Sequence, residues 1–348
     1  MASLLKIFIV FLIILLILFS SLMAESENRE DKTAGLLRKL ADLKYGEWPS
    51  LAPTFRELGD TAVGPVMDML RHKEPEWTDY QLEWNQRRAA WILGAIGTDM
   101  AVKRLLEMIS DTNLHLYGRY EAIRSLRRLK AQQAATPLLE FMAERKMPSR
   151  LRAEAAYALG DIQMEESVSA LTSLLKETET RLRNGAVYAL GHIGTDAAAA
   201  GLRLAFQDPD EYVRNRALAY LIDLRPASKT AFLMKALEDP AWSVREVAVK
   251  ELIMMGVTIE ADLIPAINSP NPLLRWEAVR ILGKIRSDNA MPQLIHCLKD
   301  KDWMVRNEAA VALVKIGDST IIPAITIMAD DEREDVRKKA AWVLKNLK

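Results

Sequence analysis

The chain has 348 residues, half of them apolar, so it is long enough to bury a large hydrophobic core. Its 47 Lys and Arg residues balance 47 Asp and Glu residues, which excludes a strong overall attraction to nucleic acid or to an acidic membrane. The single cysteine, Cys297, excludes an intramolecular disulfide, and its apolar neighbours indicate a buried, inert thiol.

Residues 1–24 are predicted to be a targeting segment. Lys6 is followed by an uninterrupted apolar run from Ile7 to Phe19, then by small and apolar residues up to Ala24. A basic start, an apolar stretch and a small residue before a polar segment are typical of a secretory signal. Cleavage after residue 24 and membrane attachment through residues 4–24 remain alternatives. Either way, we expect the rest of the chain to be extracytoplasmic, that is, periplasmic or secreted.

A polar linker and a first helix are predicted for residues 25–44, and a repeat array for residues 45–348. Segments such as LRAEAAYALGDI, LRNGAVYALGHI and VRNEAAVALVKI recur about every 31 residues. Alanine stands three residues after the arginine position of each copy and leucine seven after it, which places both on one helix face. We call this repeated helix the marker helix and the Leu-rich helix that follows it the partner helix. The pattern predicts an all-α array of about nine helix pairs plus a closing helix.

These segments resemble HEAT repeats, specifically the short subclass named after phycobilisome lyases. That subclass reads roughly VRxxAAxALGxIG, then a Leu-rich helix, an aspartate and a turn, and residues 305–330 match it closely. The resemblance implies a right-handed α–α superhelix of the HEAT/armadillo type. It also implies marker helices on the inner, concave surface, which fits their slim, Ala-rich composition. It specifies function poorly, because such repeats serve many partners and a few chemistries.

The repeated arginine is interpreted as a structural ladder. Carboxylates such as Asp208, Asp239 and Asp300 stand six residues before it, where they can cap helices and tie neighbouring units together. The ladder consists of Arg119, Arg152, Arg183, Arg214, Arg245, Arg275, Arg306 and Arg337.

A partner-binding surface is predicted on the marker helices. Offsets 1, 2, 5 and 9 from the arginine position are expected to point away from the core, and aromatic residues and arginine supply most interface energy. The alternative is that each aromatic ring leans on the neighbouring helix and fills the surface. The predicted surface consists of Arg87, Trp91, Tyr120, Arg124, Arg128, Tyr157, Tyr188, Lys250, Trp276 and Arg280.

Catalysis is not expected. None of the four histidines is followed by Glu, so the His-Glu pairs that supply iron ligands in HEAT-type deoxyhypusine hydroxylases are missing. Nucleotide-binding, zinc-protease and serine-hydrolase motifs are also absent from the sequence. Asp161, His192 and Asp223 share one offset in consecutive units, but neighbouring helices lie about 8–10 Å apart, too far for a metal site. We therefore expect no catalytic residues, no metal and no cofactor.

The leading hypothesis is an extracytoplasmic scaffold or adaptor that binds a protein or peptide on its concave surface. Two alternatives are kept. One is lyase-like or chaperone activity on a bound tetrapyrrole or other cofactor, which the resemblance to phycobilisome lyases implies. The other is binding of envelope polysaccharide through stacked aromatic rings. A nucleic-acid partner is not expected for a chain of neutral net charge, nor is a free small-molecule ligand.

Overall fold

The computed structural model describes residues 31–39, 44–71, 78–224 and 226–347. All regular structure in these ranges is helical, with short 3₁₀ turns before several of the α-helices. The predicted all-α fold class is therefore confirmed for these residues. In the same ranges, no helix combines the length and the apolar character needed to cross a bilayer. The predicted signal or anchor, residues 1–24, lies outside the described residues.

Contacts between Cα atoms divide the chain into two units, the first ending at Thr195 and the second beginning at Asp196. The first unit contains α1 (31–39), α2 (Ala52–Leu58), α3 (Val63–Arg71), α4 (Asp79–Ile96), α5 (Asp99–Ser110), α6 (Leu116–Leu129), α7 (Ala135–Ala143), α8 (Ser149–Ile162), α9 (Val168–Leu174) and α10 (Thr180–Ile193). The second contains α11 (Asp196–Ala205), α12 (Glu211–Leu224), α13 (Lys229–Ala236), α14 (Trp242–Met255), α15 (Glu260–Ala266), α16 (Pro272–Lys284), α17 (Met291–Cys297), α18 (Trp303–Ile316), α19 (Ile322–Met328) and α20 (Glu334–Asn346).

Marker helices pack on one another within each unit. In the first unit the marker helices are α4, α6, α8 and α10, and each contacts the next. In the second they are α12, α14, α16, α18 and α20, again in consecutive contact. Partner helices lie against them: α5 contacts both α4 and α6, and α13 contacts both α12 and α14. A single helix pair cannot cover its own apolar face, so this stacking makes the core of each unit continuous.

The alanine and leucine positions form that core. The alanine three residues after the arginine position is fully buried in every marker helix: Ala89, Ala122, Ala155, Ala186, Ala217, Ala248, Ala278, Ala309 and Ala340. The leucine at offset 7 is fully buried in all marker helices except the last, where Leu344 is half-buried. Burial of one leucine side chain stabilises a fold by about 1.5–3 kcal/mol, so this repeated contact is a large share of the stability. The predicted apolar face is confirmed.

The ladder arginines bind the turn that precedes their own helix. Arg214 donates through Nη1 to the carbonyls of Asp208 (2.8 Å) and Pro209 (3.0 Å). Its Nε and Nη2 donate to the carboxylate of Asp239, in the following repeat, at 2.7 and 2.8 Å. A pair of carbonyl bonds from Nη1 is also made by Arg245, Arg275, Arg306 and Arg337. Each of these side chains therefore closes a turn that would otherwise leave carbonyl groups without donors.

Marker helices end in two ways. α4 and α10 stop at Gly97 and Gly194, whose φ angles of 71° and 68° lie in the left-handed region that glycine adopts without strain. α6 stops at Lys130, which takes a φ of 49° at the equivalent position. The end of α6 therefore presents a basic side chain where α4 and α10 present glycine. α8 presents Gln163 at this position, with a φ of 60°.

Candidate functional site

The structure distributes the ten predicted surface residues over the two units. Arg87, Trp91, Tyr120, Arg124, Arg128, Tyr157 and Tyr188 belong to the first unit, and Lys250, Trp276 and Arg280 belong to the second. Within the first unit, contacts link most of these side chains into one surface formed by α4, α6, α8 and α10. We call it the tyrosine–arginine surface, and it consists of Arg87, Tyr120, Arg124, Arg128, Tyr157 and Tyr188.

Trp91 corrects the sequence prediction. We expected its side chain to face solvent at offset 5, but it is only 8% exposed. Its ring meets the fully buried ring of Trp48 edge-on, with centroids 5.9 Å apart, and Trp48 also contacts Trp84 at 5.8 Å. The 3₁₀ turn before α2 thus covers the start of α4, because clustered aromatic rings gain more from mutual burial than from exposure. Trp91 is a core residue of the amino-terminal end.

Offset 2 corrects the prediction as well. Glu121, Glu154 and Glu277 occupy it in three marker helices and are buried, with at most 6% exposure. A buried carboxylate is tolerated only where cations and hydrogen-bond donors surround it. Glu154 and Glu277 pair with an arginine of the preceding marker helix, Arg127 and Arg245 respectively. Glu121 pairs with arginines of its own helix.

Arginine and aromatic side chains alternate across α4, α6 and α8. The guanidinium of Arg87 lies 4.3 Å from the ring centroid of Trp84 and 5.9 Å from that of Tyr117. Arg150 then lies 4.8 Å from the Tyr117 ring and 4.7 Å from the Tyr120 ring, and its Nη1 donates to the Tyr117 hydroxyl at 3.2 Å. These cation–π contacts hold the rings in fixed orientations. Tyr117 and Tyr120 thus pack against an arginine of the neighbouring helix and remain partly exposed.

Arg127 is the centre of a second network, between α6 and α8. Its Nε donates to the Asp161 carboxylate at 2.5 Å, its Nη1 to Glu154 at 3.2 Å and its Nη2 to the Tyr188 hydroxyl at 3.1 Å. The Tyr188 hydroxyl in turn donates to Asp161 at 2.7 Å. The rings of Tyr157 and Tyr188 meet edge-on at 5.0 Å, and each lies 5.1 Å from the Arg127 guanidinium. One side chain thus links three marker helices.

The pKa values in this network follow from burial and pairing. Burial disfavours the charged form of Asp161, but hydrogen bonds from Arg127 and Tyr188 outweigh it and hold the pKa of Asp161 below its ordinary value. Burial and the hydrogen bond to Asp161 raise the pKa of the Tyr188 hydroxyl. At neutral pH the network therefore consists of a carboxylate, a guanidinium and a neutral phenol.

A pocket of about 410 Å³ opens beside this network. Its lining comprises Arg124, Arg127, Arg128, Lys130, Glu154 and Asp161. The side chains of Arg124 and Arg128 are 40% and 42% exposed, and both lie near the buried carboxylate of Glu121, Arg128 at 3.0 Å and Arg124 at 3.7 Å. We call this pocket the α6–α8 cleft. Four cations and two carboxylates form its walls.

Arg127 was missed by the sequence analysis, although the repeat contains a signal for it. The residue eight positions after the arginine position is glycine in α4, α8, α10 and α16, and a larger residue in the other marker helices. A Cβ on Gly160 would lie 2.5 Å from Ala189 Cα, and one on Gly283 would lie 2.5 Å from Ala312 Cβ. Glycine therefore permits close approach of two marker helices. In α6 this glycine slot holds Arg127, whose side chain occupies the space between α6 and α8.

The two cations predicted for the surface of the second unit have different surroundings. Lys250 is exposed. The guanidinium of Arg280 lies 5.1 Å from the Trp276 ring centroid and pairs with Glu246 at 3.0 Å. Arg280 also pairs with the fully buried Glu277, at 2.8 Å. Burial raises the pKa of Glu277 even though nearby arginines oppose the shift. Three large exposed aromatic residues of this unit stand at the starts of marker helices, namely Tyr212, Trp242 and Trp303, and a fourth, Trp342, lies within α20.

No group of three or more His, Cys, Asp or Glu side chains that could hold a metal ion occurs among the described residues. Cys297 is buried, and burial raises the pKa of its thiol to about 12. A thiol with such a pKa is protonated at neutral pH, which makes it a poor nucleophile and a poor metal ligand.

The helix pairs are stacked, and their marker helices repeat the same buried alanine and leucine positions. These features define an α-helical repeat protein. A family model described as HEAT repeats matches residues 81–150, 142–222 and 259–345, which is more than half of the chain. The chain therefore belongs to the HEAT-repeat family, and the resemblance predicted from the sequence is confirmed.

Two curated relatives match short stretches. Phycocyanobilin lyase subunit alpha of Nostoc sp. is 42% identical over 57 residues, which cover 16% of this chain and 21% of that protein. AP-1 complex subunit beta of Dictyostelium discoideum is 47% identical over 55 residues, which cover 15% of this chain and 6% of that protein. The matched stretches thus span well under two thirds of either relative.

Among solved structures, a mutant of Kap121p aligns over 91% of this chain and 43% of its own, with 12% identity and a TM-score of 0.50. At this identity the likeness shows the fold alone.

Proposed function

We propose that the chain is a non-enzymatic scaffold or adaptor that binds a protein or peptide partner on the tyrosine–arginine surface of its first unit. The observation that carries the proposal is the alternation of half-exposed tyrosines and arginines across α6, α8 and α10. Tyrosine and arginine are among the residues that contribute most to binding energy at protein interfaces. Packing of the helices alone does not require them at positions that face solvent.

Pre-organisation supports this use of the surface. Tyr157 and Tyr188 hold each other edge-on, and Tyr188 is fixed further by Asp161 and Arg127. Side chains that are already ordered lose little conformational freedom when a partner binds, so more of the contact energy appears as affinity. A disordered set of the same residues would bind more weakly.

The test replaces two rings of this surface. Tyr120→Ala combined with Tyr157→Ala should abolish partner capture, measured by photo-crosslinking of envelope fractions and then by titration with the purified partner. The matched control is Tyr212→Ala, which removes a ring that is 72% exposed in the second unit. Circular dichroism and thermal melts establish that the double variant folds. Capture by the folded double variant at the level of the control would overturn the proposal.

Export is part of the proposal, on the evidence of the apolar run from Ile7 to Phe19 behind Lys6. A phosphatase reporter fused after residue 348 becomes active only outside the cytoplasm. Amino-terminal sequencing of the mature chain then distinguishes cleavage after Ala24 from a retained anchor. A reporter that is inactive in cells that produce the full-length fusion would remove export from the proposal.

A second candidate is lyase-like or chaperone action on a bound tetrapyrrole. The specific observation that favours it is the stretch 42% identical to a phycocyanobilin lyase subunit. Rings and guanidinium groups like those on α6 and α8 suit a flat chromophore with carboxylates. Absorption spectra of the full chain, titrated with phycocyanobilin, decide the matter: a shifted visible band that the double tyrosine variant loses would favour this candidate.

A further inference from the structure

The geometry points to a carboxylate-binding site in the α6–α8 cleft, which takes the carboxylate groups of an acidic peptide segment. The assignment rests on the proposed function, because the cleft lies within the tyrosine–arginine surface. It adds the chemistry of the bound segment, which the ring positions alone do not specify.

The balance of charge in the cleft favours an anion. Arg124, Arg127, Arg128 and Lys130 line it, against Glu154 and Asp161. Glu121 lies behind the wall and takes part of the charge of Arg124 and Arg128. Even with Glu121 included, the cations outnumber the carboxylates. The surplus lies on exposed side chains at the mouth, where a ligand meets it first.

The inner part of the cleft is a fixed floor. Arg127 is held by Asp161, Glu154 and Tyr188 at the same time, so its guanidinium is locked in place. Arg128 is likewise held by Glu121 and by the Ser125 hydroxyl, at 3.0 and 2.7 Å. Guanidinium groups carry five N–H donors in a planar fork that matches a carboxylate. Ordering them in advance lowers the entropic cost of binding one.

Among the marker helices of the first unit, only α6 has a residue other than glycine at the glycine slot, and the cleft lies beside it. In α4 and α8, glycine at this slot permits close contact with the next marker helix: Gly94 lies against Ser125 and Gly160 against Ala189. With Arg127 in that slot, α6 and α8 enclose a polar space of about 410 Å³. That volume admits one or two carboxylate-bearing side chains. Lys130, at the end of α6, adds a cation at the position where α4 and α10 have glycine and α8 has Gln163.

An acidic peptide fits this cleft better than a nucleic acid does. The two carboxylates in its walls limit the local positive potential. Binding of a phosphate backbone needs an extended basic stripe, and the chain as a whole carries no net charge. A short segment with one or two carboxylates between apolar residues would use the cleft and the neighbouring tyrosine rings together.

Fluorescence anisotropy of the full chain tests the assignment with an amidated, fluorescein-labelled hexaglutamate peptide. We expect saturable binding that weakens as salt rises. Arg124→Gln combined with Lys130→Gln should raise the Kd at least about fivefold. Lys103→Gln combined with Arg181→Gln, which removes the same charge from two exposed sites of the first unit, should leave it unchanged. Equal weakening in both double variants would overturn the assignment, since binding would then follow total charge.

Two further probes identify the source of the carboxylate. A neutral peptide with a free carboxyl terminus that binds in place of hexaglutamate would assign the cleft to a chain end. Binding of hexaglutamate alone would assign it to acidic side chains. Stronger competition by a single-stranded hexanucleotide than by unlabelled hexaglutamate would overturn the assignment in favour of a nucleic-acid site.

The outcomes separate this inference from the proposed function. If hexaglutamate fails to bind while Tyr120→Ala with Tyr157→Ala still abolishes partner capture, the cleft assignment falls and the adaptor proposal stands. If hexaglutamate binding depends on Arg124 and Lys130 but Tyr120→Ala with Tyr157→Ala leaves partner capture unchanged, the cleft assignment stands and the adaptor proposal falls.

Discussion

Two neighbouring helix contacts in the first unit differ at one position of the repeat. Between α8 and α10, Gly160 lets the backbone of Ala189 approach so closely that a Cβ would lie 2.5 Å from its Cα. Between α6 and α8, the same slot holds Arg127, and a polar cleft takes the place of the close contact. The same repeat position therefore supports either close helix packing or an open polar cleft, depending on whether it holds glycine or arginine. Four measurements test this difference.

The largest effect is expected where packing is tightest. Gly160→Ala adds a methyl group against the backbone of Ala189, so the helices must separate and the free energy of unfolding should fall by about 1–3 kcal/mol. Urea denaturation measures it. The matched control is Gly64→Ala in α3, where nothing lies within 4 Å of the new Cβ, and which should stabilise by about 0.5–1 kcal/mol. Two changes of the same sign and size would contradict the close contact.

Removal of Arg127 should cost less. Arg127→Ala leaves Asp161 and Glu154 without their shared guanidinium, and we expect a loss of about 1–2 kcal/mol in the free energy of unfolding. The value stays below that of a fully buried pair because the Arg127 side chain is 27% exposed. Arg104→Ala on α5, whose pair with Glu107 is more exposed, should lose under about 0.5 kcal/mol. An equal loss in both variants would mean that Arg127 forms only a surface pair.

The third prediction is that the contribution of Asp161 to folding stability depends on pH. Because the pKa of Asp161 is held below its ordinary value of about 3.9, its ionised form stabilises the folded state at neutral pH. That contribution is lost as pH falls through the lowered value. The difference in stability between wild type and Asp161→Asn, measured by urea denaturation from pH 6 to pH 2.5, should therefore shrink toward acid. A difference that stays constant would show that Asp161 titrates alike in the folded and unfolded chains.

The smallest effect is expected at Lys250, in the second unit. Its side chain is exposed, so Lys250→Ala should change stability by less than about 0.5 kcal/mol in thermal melts. Arg280→Ala should destabilise clearly more, because Arg280 pairs with the buried Glu277. A reversed order would mean that the ion pairs of Arg280 contribute nothing measurable to stability.

Most of the fold could be predicted from the sequence because the rules that build it are local and repeated. Alanine at offset 3 and leucine at offset 7 fix the buried face of each marker helix, and burial follows as expected at positions such as Ala155 and Leu190. Helix ends were predictable for the same reason, since Gly97 and Gly194 adopt the left-handed conformation that only glycine takes without strain.

The candidate site could be predicted only in part. The helix period put Tyr120 and Tyr157 on the exposed side, where the structure has them half-buried and in contact with arginines. It failed at Trp91, because the covering ring of Trp48 comes from a segment outside the regular frame. It also missed Arg127, because the period alone does not specify how far two neighbouring helices stand apart. That distance depends on side-chain volume at the glycine slot.

The arginine ladder makes single repeats easy to add or remove during evolution. Arg214 bonds to carbonyls five and six residues before it, and the arginines that follow it do the same. These bonds form within a single repeat, whatever repeat comes next. A segment of 31 residues that begins at such a turn, for example residues 269–299, can therefore be duplicated or deleted together with its own turn-closing bonds. Gain or loss of a repeat in the gene would then change the length of the helical array, while every remaining repeat keeps the hydrogen bonds that close its turn.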